Sequence, residues 1–295
     1  MKESILYYYN IEVNNIRKFK DDFYFDYNGS NYIISKYIRN VNEKDDILKL
    51  NKYMISLNIP VFIVLTNKDN DILFKFEDDE YVVMKYPDID NRVISYEDII
   101  NFNYLVNVDN FSSLDRANWA KYWEKKIDYY EEEMKEYKIS DILDSFNYYV
   151  GLAENSISYF NYNVRLSNIR FISHIRLDIS SDLYDFYNPL NLIIDLRERD
   201  VGEYLKSYVM NYSYTKDSLL SMLNLDNRDS VILLISRVLI PTYYFDRYDK
   251  YMLKEEVDIN NISFKRKNIN FLIKLIFDKY KSFNLPYINW IIKEN

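Results

Sequence analysis

The chain has 295 residues, 48% of them hydrophobic, with 38 Lys and Arg against 46 Asp and Glu for a net charge of -8. That length and apolar content suit one large domain or two lobes around a sizeable core, and an acidic balance without a basic stripe argues against a nucleic-acid partner. Cys is absent and His occurs once, which excludes disulfides, thiolate nucleophiles and imidazole-clustered metal sites and leaves hard cations on carboxylates as the metal chemistry to consider.

The opening MKESILYYYNIEVNN carries acid and Asn too early for a secretory apolar region. No apolar run approaches the ~20 residues of a membrane span, so synthesis in the cytoplasm without membrane contact is expected. The 32 Tyr beside only 3 Gly and 5 Pro match the residue set of A+T-rich codons. The sharper alternative is that surface tyrosines serve oxidative cross-linking in an assembled shell.

Residues 21–39 place Asn28-Gly29 between two aromatic and β-branched runs, the strongest short-range hairpin signal. Residues 42–58 carry Ile47, Leu48, Leu50, Tyr53, Met54 and Leu57 near helical spacing, with Pro60 beyond the end. IPVFIVLTN, DILFKF and EYVVMKYP then read as three strands separated by NKDND and EDD. Strand, strand, helix, strand, strand, strand is the small lobe of the protein-kinase architecture, and Lys36 stands where that fold carries its ATP-contacting lysine. Residue type alone also fits an exposed strand lysine. Asp46 is the nearest acidic candidate for its ion-pair partner, and KYPDIDN is the expected hinge between lobes.

From residue 97 the pattern is helical. Residues 112–138 begin with Ser112 three residues before Asp115, a capping-box spacing, and repeat Trp119, Trp123, Ile127, Tyr130, Met134 and Tyr137 every three or four residues. Such a stripe suits a partner surface or, more commonly, a core face. A second helix is expected over residues 140–160, with Gly151 allowing close packing, and further helices over residues 229–252 and 268–283.

WAKYWEKKIDYYEEEM, FNYYVGLAENSISYF, RDVGEYLKS and SRVLIPTYYFDRYDKY together resemble the spore-coat kinase-like proteins (the CotS type) of endospore-forming bacteria, which are similar in fold to aminoglycoside and choline phosphotransferases. The resemblance spans about residues 20–255. It implies an α+β, two-lobed protein-kinase-like (aminoglycoside phosphotransferase-like) fold: an N-lobe over residues 1–87, with a small antiparallel sheet and one helix, and a large α-rich C-lobe over residues 88–295, forming one compact unit. It further implies a coat-associated or sporulation-linked protein whose partners are other coat proteins, in a family where many members have lost catalytic residues.

The related enzymes take their base and metal ligands from a loop of form His-x-Asp, an Asn some five residues on, and a strand ending in a second Asp. Laid on that pattern, His174 takes the His position, although a lone His in FISHIRL also suits a purely structural role. LNLIID brings Asp195 to the metal-binding position. The base position falls on Arg176, whose guanidinium cannot accept a proton. Asp178 is displaced by two residues, and the Asn position falls near Ser181 or Asp182, of which Asp182 is the better metal candidate. Arg176 is expected to pair with Asp178 or Asp195 where a metal would sit. Asp200 is expected to cap the helix VGEYLKS. With Gly29 in the hairpin turn and only Gly151 and Gly202 besides, no glycine-rich phosphate loop is available.

Three functions follow. The first is a catalytically dead kinase-like scaffold binding other proteins. The second is a weak or altered phosphotransferase using ATP and Mg²⁺, with Asp178 or Asp182 as base. The third is a nucleotide-binding sensor that keeps Lys36 and Asp195 and transfers nothing.

Overall fold

The computed structural model describes residues 1–19, 22–137, 140–163, 166–253 and 260–292. Helix α1 (Lys2–Tyr9) leads into strands β1 (Arg17–Phe19), β2 (Asp22–Tyr27) and β3 (Ser30–Lys36), then helix α2 (Lys44–Ser56) and strands β4 (Ile63–Val64), β5 (Leu73–Phe76) and β6 (Asp79–Lys85). These strands form one antiparallel sheet in the order β1-β2-β3-β6, with β4 and β5 both pairing with β6. Sequence reasoning expected this order from β2 onward; α1 and β1 precede it.

Alternation explains the apolar runs IISK and VVMK. Ile33, Val82 and Met84 face α2, where Ile47, Leu50 and Met54 meet them, while Ile34 and Val83 face the opposite side with Phe25, Phe74 and Ile5 of α1. Both faces of β3 and β6 are therefore covered, so neither strand reads as half polar. Asn28 and Gly29 turn the β2–β3 hairpin with φ of 48° and 71°, and Glu77 turns β5–β6 with φ of 55°, the left-handed geometry that two-residue hairpins require. The run IPVFIVLTN contracts to two strand residues because Asn51 of α2 takes over the backbone on either side: its Nδ2 donates to Phe62 O (2.6 Å) and its Oδ1 accepts from Val64 N (3.0 Å).

After β6 the chain runs through α3 (Tyr96–Asn101) and β7 (Leu105–Asn107) into the long helices α4 (Trp119–Tyr137) and α5 (Ser140–Asn163). Next come β8 (Ile169–His174), α6 (Leu183–Phe186), β9 (Leu192–Asp195), α7 (Glu198–Asn211), α8 (Lys216–Met222), α9 (Arg228–Leu239), α10 (Thr242–Met252), α11 (Asn260–Lys279) and α12 (Asn289–Ile292). Strands β7, β8 and β9 make a second, three-stranded antiparallel sheet. The aromatic stripe of α4 is a core face: Trp119, Trp123, Ile127, Tyr130 and Met134 are buried, with Tyr130 stacked on Phe245 of α10 at 4.6 Å; the side chain of Tyr137 lies outside the described residues. Pro241 divides the apolar run at 229–252 into α9 and α10, as its missing N–H and ring require.

Two local expectations fail. Ser112 and Asp115 do not cap α4: Asp115 Oδ1 accepts from Ala117 N and Arg170 Nε, and Asn118 Oδ1 faces Lys121 N at the true helix start. Gly151 has open space where a Cβ would stand, whereas at Gly202 a Cβ would meet Arg237 Cγ at 2.7 Å and Cβ at 2.9 Å, so the close approach is between α7 and α9.

The segment that joins the two parts is fixed by charge. Ser95 and Asp98 form a capping box at α3, and Arg92 grips Asp98 with two bonds of 2.7 Å.

Gly202→Ala is expected to lower the urea midpoint, because overpacking on Arg237 costs about 1–3 kcal/mol against the roughly 1 kcal/mol that Ala contributes in a helix. The Arg92 hydrogen bond, with Ser95 assisting against burial, holds Asp98 down at about 2. A depressed carboxylate stabilises the fold above its unfolded pKa, and that contribution disappears as pH falls from the ordinary 3.8 through about 2. Asp98→Asn should accordingly flatten the acid limb of stability against pH over that window, as measured by urea unfolding.

Candidate functional site

The β8–β9 hairpin presents His174 and Asp195, one at the end of each strand, and α7 begins three residues beyond Asp195. His174 is buried, with Nδ1 2.7 Å from Asp200 Oδ2 and Nε2 2.9 Å from Phe186 O, and its backbone N donates to Asp200 Oδ1. Its ring stacks on Phe186 at 4.3 Å. With both ring nitrogens engaged, His174 holds the loop in place and presents no free nitrogen for chemistry. Asp200 lies within the first turn of α7, not at its cap, and its carboxylate is turned to His174. The expectation that it caps VGEYLKS is thus corrected, because α7 already starts at Glu198.

Asp195 is 0% exposed. Its Oδ1 accepts from the Trp119 indole N–H (2.7 Å) and from Leu196 N (2.7 Å), and its Oδ2 lies 2.7 Å from Arg199 Nη1. The same guanidinium donates through Nε to His174 O (2.8 Å) and through Nη2 to Ile175 O (3.1 Å). Burial pushes the Asp195 carboxyl up, and Arg199 and Arg237 oppose that push. A divalent cation needs open carboxylate oxygens. Here both oxygens face donors and a permanent cation already stands on the carboxylate, so the donor set does not fit Mg²⁺. Among the described residues no group of three Asp, Glu or His side chains converges as a metal site.

The remaining loop positions are engaged locally. Arg176 is exposed, and among the described residues its side chain joins no ion pair; its backbone N and O bond instead to the side chain of Asn191. The pairing of Arg176 with Asp178 or Asp195 is therefore corrected: Arg199, one helical turn after Asp195, takes that role. Asp178 Oδ1 accepts from Ser180 N, Ser180 Oγ and Ser181 N, closing a turn. Asp182 caps α6 through Asp185 N (2.8 Å) and accepts from Asn91 Nδ2 (2.7 Å), tying the loop to the hinge segment. Lys36, with its side chain 46% exposed, pairs with Asp79 at 2.7 Å. Asp46 is occupied by Ser113 and Lys49. The structure thus brings His174 and Asp195 to one hairpin and leaves Lys36 and Asp46 with other partners.

Sequence reasoning missed the residues that close the site. Arg39 donates to Leu190 O and Leu192 O (2.6 Å) and pairs with Glu43, which also pairs with Arg116, so one buried carboxylate joins the sheet to the helical part. Beside the hinge, Tyr86 meets Phe62 at 4.8 Å and Tyr184 at 4.9 Å, and Phe62 N donates to Tyr187 O. Arg39 with Glu43, and Asp195 with Arg199, each sit four residues apart, the only signal the sequence holds for them.

Residues 2–270 match the family described as "Spore coat putative kinase YutH". No curated protein sequence matches the chain. Among solved structures, it is similar to an aminoglycoside phosphotransferase from Alicyclobacillus acidocaldarius (TM-score 0.60, 8% identity, 96% of this chain and 95% of that one). A spectinomycin phosphotransferase bound to ADP and spectinomycin gives a TM-score of 0.59 at 10% identity over 94% and 96% of the two chains. An amicoumacin kinase bound to AMP-PNP and Ca²⁺ gives 0.58 at 12% identity over 94% and 92%. These likenesses establish a kinase-like, aminoglycoside-phosphotransferase-like fold, as the sequence resemblance implied.

Arg199→Met should destabilise the fold by about 3–5 kcal/mol, since it strands a buried carboxylate. Adding Asp195→Asn should recover much of the loss, because the neutral amide has no charge left to pair. A double variant no more stable than Arg199→Met in urea unfolding would show that the carbonyl bonds of Arg199, and not its ion pair, dominate.

Proposed function

Since the chain belongs to this spore-coat kinase family, we propose that it is a catalytically inactive, kinase-like scaffold of the spore coat that acts through contacts with other coat proteins. The observation that carries the reading is the state of Asp195, sealed from solvent and bonded on both oxygens, with Arg199 in the place of a cation. Phosphoryl transfer needs a metal on the triphosphate and a proton acceptor near the hydroxyl. Arg176 has no proton-accepting capacity, and Asp178 and Asp182 hold a turn and a helix cap. Rings of Phe62, Tyr86 and Tyr184 occupy the space beside the hinge.

Thermal unfolding with millimolar ATP and Mg²⁺ tests the reading. A ligand at a hundredfold excess over its Kd stabilises the native state by about 2.7 kcal/mol. The expected result is no Mg²⁺-dependent rise in Tm and no transfer of phosphate to sugars, amino alcohols or protein. A Mg²⁺-dependent rise that disappears in both Asp195→Asn and Lys36→Ala would overturn the proposal in favour of a nucleotide-binding sensor or an active enzyme. Lys36→Ala itself should change stability by under about 1 kcal/mol, as for an exposed ion pair.

A further inference from the structure

Beside the Asp195–Arg199 pair lies a cavity of about 370 Å³, near the lower end of small-molecule sites. Its charged lining is Arg39, Arg116, Arg199 and Arg237 against the single carboxylate Glu43. Behind that lining, Glu203 is shared by Arg237 (2.6 Å) and Lys206 (2.8 Å). Three groups of ion pairs around the cavity thus set the cations Arg39, Arg116, Arg199, Arg237 and Lys206 against Glu43, Asp195 and Glu203. The ion-paired cations outnumber their carboxylate partners by two, and all but Arg116 are largely buried, an arrangement that is costly when nothing neutralises it.

Arg237 shows where the compensating group belongs. It is 5% exposed, and its guanidinium lies 5.3 Å from the Trp119 ring and 5.7 Å from that of Trp123. Beyond its Nε contact with Glu203, neither Nη group makes a hydrogen bond among the described residues. Gly202 holds the side chain in that pose by letting α7 approach its stem. Trp119, Tyr122 and Trp123 supply an aromatic wall alongside.

We propose that this cavity binds a small organic phosphomonoester as its dianion. Its phosphoryl oxygens accept from the Nη groups of Arg237 in the field of Arg116 and Arg199, and its organic body lies against the aromatic wall. A phosphomonoester carries close to two negative charges at neutral pH together with several strong acceptor oxygens, which matches the surplus and suits guanidinium donors. The lining excludes cationic ligands on the same ground. The assignment does not depend on whether the protein transfers phosphate.

Phenyl phosphate is the probe, added to the full-length chain without Mg²⁺. Trp119 and Trp123 report on the cavity by fluorescence, and Tm gives an independent readout. Saturable change in emission with a rise in Tm is expected, with binding about tenfold weaker in Arg237→Met and weaker by a smaller factor in Arg116→Gln, a partly exposed position that keeps the test open should Arg237→Met not fold. Inorganic phosphate should bind more weakly than phenyl phosphate, and choline should not bind. No saturable response at millimolar phenyl phosphate, or equal affinity in the parent and the folded variants, overturns the site. Equal binding of isophthalate, a dicarboxylate of the same charge, overturns the assignment to the phosphoryl group.

Discussion

A carboxylate cut off from water keeps its charge only when donors surround it, and the arrangement of the site follows from that requirement at Asp195. Its indole partner fixes where α4 begins relative to β9, with Arg116 N bonded to Ile194 O along the same stretch. Its guanidinium partner fixes how α7 leaves β9 and, through two carbonyls, where the chain after His174 runs. Asp200, one residue past Arg199, then falls against the His174 ring. Sheet, loop and two helices are thereby registered on one carboxylate.

The same requirement separates fold from chemistry. Solved phosphotransferases with about a tenth of their residues identical share the architecture, which depends on apolar periodicity and helix packing more than on any site residue. At the site itself, charge is organised by guanidiniums. Arg199 stands on the Asp195 carboxylate, and Glu43 and Glu203 likewise serve as counter-ions to arginines. Strong binding of a cation and strong pairing with a guanidinium compete for the same lone pairs, so a site organised by the second is poorly disposed to the first.

The sequence discloses this unevenly. Elements whose faces repeat at a fixed period, such as α4 with its buried Trp119, Trp123, Ile127 and Tyr130, are legible because packing depends on local spacing. The Asn28-Gly29 turn is legible because left-handed backbone restricts residue type. Strand β4 is shorter than its apolar run because a side chain of α2 replaces part of its ladder, a contact invisible in the strand itself. Asp200 resembles a helix cap by position, and only the return of His174, 26 residues earlier in the chain, shows what its carboxylate holds. Arg176 is the counter-ion the sequence suggests for Asp195; helix phase brings Arg199 there instead. Trp119 carries no local sign of its bond to Asp195, 76 residues away.

The links that close the two parts on one another have a thermodynamic consequence. Arg39 bonded to Leu190 O and Leu192 O, Glu43 between two guanidiniums, and the rings of Phe62, Tyr86 and Tyr184 all span the boundary, and one apolar core runs across it. Lobes that must part to admit and release a ligand have an interface weak enough to open on the microsecond-to-millisecond scale. An interface of buried charge and edge-to-face rings couples the stabilities of its halves instead. A substitution in the sheet should then be felt in the helices, with melting expected to draw on both parts together.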